Sequence, residues 1–180
     1  GGQTTESYEL AMWFMARHAD MDCLNLRGDK GYLFLIGDEQ PYDAVSSRQV
    51  RDLIGDAMQD DMPTSVIAEE LKAKFEVYVI LPVGASNSGN KRIEEHWKRL
   101  FGQHVLTLDS PDNVTELIAA TIGIAEGVVD KDGALKDLEE VTPGVSGSVG
   151  SALAKVVSTG VLKKRGSISG DIVHAAAEEV

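Results

Sequence analysis

The acidic turn Gly37-Asp38-Glu39-Gln40-Pro41-Tyr42-Asp43 follows directly on the apolar run Tyr32-Leu33-Phe34-Leu35-Ile36. A carboxylate there stands at the carboxyl end of a strand, where open α/β sheets bind their ligands. Asp38 is therefore suited to hold a hard cation, directly or through water, because such ions take oxygen donors. Asp38 and Glu39 are also suited simply to cap or solvate the turn. A second oxygen-rich stretch, Gly1-Gly2-Gln3-Thr4-Thr5-Glu6-Ser7, leads into a helical pattern. The hydroxyls of Thr4 and Thr5 either ligate a metal or cap that helix, and taken alone the cap explains them better.

Positioning such groups requires a scaffold, and the hydrophobic pattern supplies one. Tyr32–Ile36, Val77–Leu81 and Val105–Leu108 are continuously apolar rather than alternating, as strands of a parallel sheet covered on both faces must be. Helical patterns surround them. Residues 6–18 carry Leu10, Ala11, Trp13, Phe14 and Met15, which predicts burial around most of that helix. Residues 64–75 align Ile67, Leu71 and Phe75, and residues 90–101 align Ile93, Trp97, Leu100 and Phe101. Residues 111–128 form a fourth helix, with Ser110 at its N-cap and Pro111 in its first turn. This order predicts an α/β three-layer sandwich with a mainly parallel central sheet. Three strands make a thin sheet for that architecture, and further strands are expected from upstream of Gly1.

Composition narrows the function. The chain has 180 residues, 43% of them apolar, with 17 Lys and Arg against 29 Asp and Glu, a net charge of -12. Such acidity argues against nucleic-acid binding, which needs a cationic footprint. No apolar run approaches the roughly 20 residues that span a bilayer. A lone cysteine, Cys23, excludes an internal disulfide framework and a multi-cysteine zinc site, and the chain reads as cytoplasmic. Residues 1–128 carry a net charge of -10 and residues 129–180 only -2. The texture also shifts to small residues near 129. An α/β domain over 1–128 and a helical tail over 129–180 are expected, the tail bearing one basic cluster, Lys163-Lys164-Arg165.

The two oxygen-rich loops, taken in order, resemble the second half of a von Willebrand factor A (VWA) domain. Gly1-Gly2-Gln3-Thr4-Thr5 looks like that family's second metal loop, and Leu35-Ile36-Gly37-Asp38-Glu39 like its third. The later order is similar too: helices, Glu76–Leu81, a turn with Gly84, an amphipathic helix, His104–Asp109 and a closing helix. The resemblance implies a divalent ion, Mg²⁺ or Mn²⁺, with Thr4, Thr5 and Asp38 as its candidate ligands. It also implies a non-enzymatic module that binds a protein partner through that ion. The family's first loop, Asp-x-Ser-x-Ser, occurs nowhere in the chain, so the metal face is incomplete and weak binding is expected.

Other chemistries fit less well. Gly37-Asp38 followed by Asp43 is similar to the strand-end acids of haloacid-dehalogenase-type phosphatases, which hold Mg²⁺. Those enzymes need an Asp-x-Asp pair on an earlier strand end, and Asp20-Met21-Asp22 has the letters but follows a helix. Gly84–Lys91 approaches a phosphate-binding loop, but Asn90 splits the Gly-Lys pair and Arg92 replaces the hydroxyl residue. His18, His96, His104 and His174 show no metal-ligand spacing, and no serine elbow is present. A binding module is the expected class, with a Mg²⁺-dependent phosphohydrolase and a metal-free VWA-like scaffold as its rivals.

Overall fold

The computed structural model describes residues 4–158. Strands β2 (Gly31–Ile36), β6 (Phe75–Pro82) and β7 (Val105–Leu108) form an all-parallel sheet in the order β2-β6-β7. Four two-residue strands form two further pairs. The strand β1 (Thr5–Glu6) pairs in parallel with β3 (Gln40–Pro41), and β4 (Ala44–Val45) pairs antiparallel with β5 (Met62–Pro63). Eight α-helical segments complete the described residues.

The predicted parallel sheet is present, and side-chain alternation divides its two faces. Leu33, Leu35, Val77, Val79 and Val105 point into one core, shared with α1 (Tyr8–His18), α4 (Thr64–Lys74) and α5 (Lys91–Phe101). Tyr32, Phe34, Tyr78, Ile80, Leu106 and Leu108 point into the other, shared with α6 (Val114–Ala125), α7 (Lys131–Val141) and α8 (Ser146–Ser158). Helices on both faces of a parallel strand set make β6 a continuous apolar run. The edge strand β2 is only half-buried along most of its length, because the helical layers stop short of it.

Helices α7 and α8 settle where residues 131–158 go. Val149, Leu153 and Val156 are fully buried and pack with Ala134 against the sheet and α6. The turn between α7 and α8 is tied by Glu139, whose carboxylate accepts from the N–H groups of Gly144 (2.7 Å) and Ser146 (3.2 Å). The basic cluster 163–165, the rest of the expected tail from 159 on, and Gly1, Gly2 and Gln3 lie outside the described residues.

Several expectations are corrected in detail. Helix α1 buries one face, Glu9, Met12, Trp13 and Ala16, while Phe14 is 50% exposed and stacks on His18. Its apolar circumference is wider than the surface α4 covers. The helix expected from 111 starts with a 3-10 turn, Pro111–Asn113, and Ser110 caps it without a side-chain hydrogen bond. Short elements carrying too few residues for a period, α2 (Asp22–Arg27) and α3 (Ser47–Gln49) with its π-helical continuation Val50–Ile54, were not legible. Among the described residues no helix is long and apolar enough to cross a membrane.

Candidate metal-linked face at the carboxyl end of the sheet

Asp38 sits where the sequence places it, two residues beyond the end of β2. The β2–β6 ladder runs one residue past the strand, with Gly37 N–H donating to Ile80 O at 3.2 Å. Asp38 is then clamped from the neighbouring loop, because the Asn87 N–H donates to its Oδ2 at 2.8 Å. That loop is the glycine-rich stretch 84–90. Its role in the structure is this clamp and the capping of α5, where Asn90 Oδ1 accepts from Arg92 N–H.

Glu39 is held from three directions. Its side chain accepts from Asn87 Nδ2 at 3.3 Å, its carbonyl accepts from Trp97 Nε1 at 2.8 Å, and its carboxyl is hydrogen-bonded to Asp38. The Asn87 N–H holds the Asp38 carboxyl below its ordinary range. The hydrogen bond to Asp38, aided by burial and by the charges of Asp38 and Glu6, raises that of Glu39. The two carboxyls thus titrate apart, as neighbouring like charges do.

Tyr8 closes the other side. Its ring meets Trp97 edge-on at 5.3 Å, and its hydroxyl lies over Gly37, where a Cβ would stand only 1.8 Å away. Burial drives the phenol upward, and the acids Glu6, Glu39 and Asp38 push the same way, so it stays protonated and bonded to Glu6. Glycine at 37 is required by this close approach rather than by backbone conformation.

The two threonines enter through backbone pairing. Thr4 O accepts from Gln40 N–H at 2.9 Å, and Thr5 pairs with Gln40 in the β1–β3 register. Both are thereby tethered to Gln40, two residues from Asp38. Their surroundings differ: Asp38 lines a small cleft of about 40 Å³ with Asn87, Asn90, Glu94 and Thr107, whereas Thr5 lines a separate concavity with Glu6, Tyr8 and Tyr42. Among the described residues no group of three or more His, Cys, Asp and Glu side chains is arranged to hold a metal ion. The two carboxyls that do meet, those of Asp38 and Glu39, offer oxygens, the class a hard cation takes.

The structure does not bring the phosphatase-like acids together. Met21 packs its sulfur against Gly31 at the start of β2, so Asp20 and Asp22 flank the amino end of the strand while Asp38 is at its carboxyl end. Asp43 contributes its backbone carbonyl to Thr64 N–H at 2.9 Å. His18 pairs with Asp56 at 2.7 Å. Sequence reasoning missed Tyr8, Asn87 and Trp97, whose roles arise from long-range contacts; the one local signal was a glycine immediately before the acid. Compared with protein-family models, with curated proteins and with solved structures, the chain matches none.

Proposed function

We propose that this chain is a non-enzymatic, VWA-like protein-interaction module that meets its partner at the Asp38 end of the sheet. A divalent ion, Mg²⁺ or Mn²⁺, joins that face to an acidic group on the partner. The observation that carries the reading is the pair of adjoining carboxyls, Asp38 and Glu39, held at a strand terminus by Asn87. A divalent cation between them would neutralise both carboxylates and leave coordination positions for an incoming carboxylate. Few protein ligands and several retained waters make the ion weakly held. The tether of Thr4 and Thr5 to Gln40 supports their place beside it, with hydroxyls reaching the ion through water. The VWA-like reading itself rests on strand order and on the acid after β2.

Calorimetric titration of MgCl₂ and MnCl₂ into the chain tests the reading. A weak, saturable heat that disappears in Asp38→Ala is expected. Identical heats in both proteins, or none in either, would leave a metal-free scaffold as the better description. Turnover of a generic phosphate ester, lost in Asp38→Asn, would replace the module with an enzyme.

A further inference from the structure

At the opposite end of the sheet the charge pattern reverses. A cleft of about 380 Å³ is lined by Lys30, Lys72, Lys98, Arg99 and His104, with Glu76 as its one acid. Four of the chain's 17 Lys and Arg therefore gather at one cleft of a molecule with a net charge of -12. The topology makes them converge. Lys30 precedes β2, Lys72 lies in the last turn of α4, and Lys98 and Arg99 lie in the last turn of α5. Cations are favoured at helix C-termini by the helix dipole, which accounts for each residue singly. Their gathering over one apolar floor of Phe75, Val77, Leu100 and Phe101 is not accounted for in that way.

The cations are available to a ligand. Lys72 and Lys98 pair with Glu69 and Glu94 at 2.6 Å, within their own helices, and Lys30 stands 3.7 Å from Glu76. Exposed pairs of this kind are weak, so an incoming carboxylate displaces them. Among the described residues Arg99 makes no carboxylate pair, and its Nη2 lies 3.2 Å from Nδ1 of the buried His96, with which it also lines a neighbouring cleft beside Asp43. Burial, then the charge of Arg99, depress the His96 pKa, so the neutral ring accepts from Arg99 and orients the guanidinium.

We infer that this cleft docks an acidic, partly apolar segment of a protein partner, whose carboxylates meet Lys72, Lys98 and Arg99 along its rim. A small anion is disfavoured because the cations stand half-exposed around an open cleft, while small-ligand sites enclose most of their ligand. The apolar floor suits side chains interleaved with acids. This contact is independent of the Asp38 face and needs no metal.

A fluorescein-labelled octapeptide alternating glutamate and leucine, titrated by anisotropy into the full chain in EDTA, tests the inference. Saturable binding is expected, weakened about tenfold by Lys72→Gln with Arg99→Gln, and several-fold when salt rises from about 50 to about 200 mM. Lys72→Gln alone, at an exposed site, gives about a threefold loss and keeps the test valid where the Arg99 change disturbs folding. Asp38→Ala, and the control pair Lys91→Gln with Arg92→Gln, leave binding unchanged. Absence of saturable binding, equal loss in the control pair, loss in Asp38→Ala, or tighter binding of pyrophosphate than of the peptide would overturn it.

Discussion

The Tyr8 hydroxyl fills the space that a side chain at position 37 would occupy, 1.8 Å from where a Cβ would stand. This fit joins α1 to the turn that carries Asp38, and it makes Gly37→Ala a sharp test. The substitution is expected to cost about 1–3 kcal/mol in denaturant unfolding, the range for overpacking. Tyr8→Phe removes the clashing oxygen while the ring carbon stays at 2.9 Å, so it relieves the cost only in part. A double-mutant cycle should show coupling between the two sites. Additive effects would mean that the contact is not formed.

Trp97 supports the same turn from below. It is 1% exposed, donates to Glu39 O and meets the Tyr8 ring. Trp97→Phe keeps an aromatic ring beside Tyr8 but orphans a carbonyl, and should destabilise by about 1–3 kcal/mol. It should also weaken Mn²⁺ binding, because the peptide that carries Glu39 loses its anchor. Weakened stability with unchanged Mn²⁺ affinity would confine Trp97 to a packing role.

Acid should unfold the protein through a few hydrogen-bonded carboxylates. Asp56 accepts from His18 and Trp13, and those bonds lower its pKa. Asp61 is lowered by Ser47 and Glu139 by Gly144. A depressed folded pKa gives stability that is complete above the unfolded value and lost as pH falls through the folded one. The melting temperature should therefore decline below about pH 4, near and beneath the ordinary carboxylate range. Asp56→Asn should flatten that decline, and an unchanged acid limb would assign it to other groups.

Leu153 is fully buried between α8 and the sheet face bearing Leu106 and Leu108. Leu153→Ala should cost about 2–5 kcal/mol in global unfolding, as core truncations do. A change below about 0.5 kcal/mol, the usual size of a surface effect, would show that α7 and α8 are not part of the sheet's core.

The sequence made the three main strands and helices α1, α4, α5 and α6 legible because each presents an unbroken apolar run or stripe. Val77, Val79, Ile67, Leu71, Ile93 and Trp97 were all read as buried, and all are. What the pattern could not give was contact between distant segments. The docking of α8 buries Val149, Leu153 and Val156 against the sheet and α6, a contact that an apolar helix face does not by itself locate. Asn87 lies in the Gly84–Lys91 stretch, which falls short of a phosphate-binding loop, yet its backbone N–H clamps a carboxylate 49 residues away. Asp38 itself was readable because its role follows from position at a strand end. Phe14 misled for the converse reason: an apolar side chain is permitted at the surface, so its type alone does not place it.

Paramagnetic relaxation by Mn²⁺ reads the position of the ion without any partner being known. In ¹H–¹⁵N spectra of the chain, the amides of Gly37, Asp38, Glu39, Gln40 and Asn87 should broaden first as Mn²⁺ is added, and Mg²⁺ in excess should restore them. In Asp38→Ala that selective broadening should be absent. Broadening that begins elsewhere, or that is the same in Asp38→Ala, would contradict a cation held at the Asp38 face.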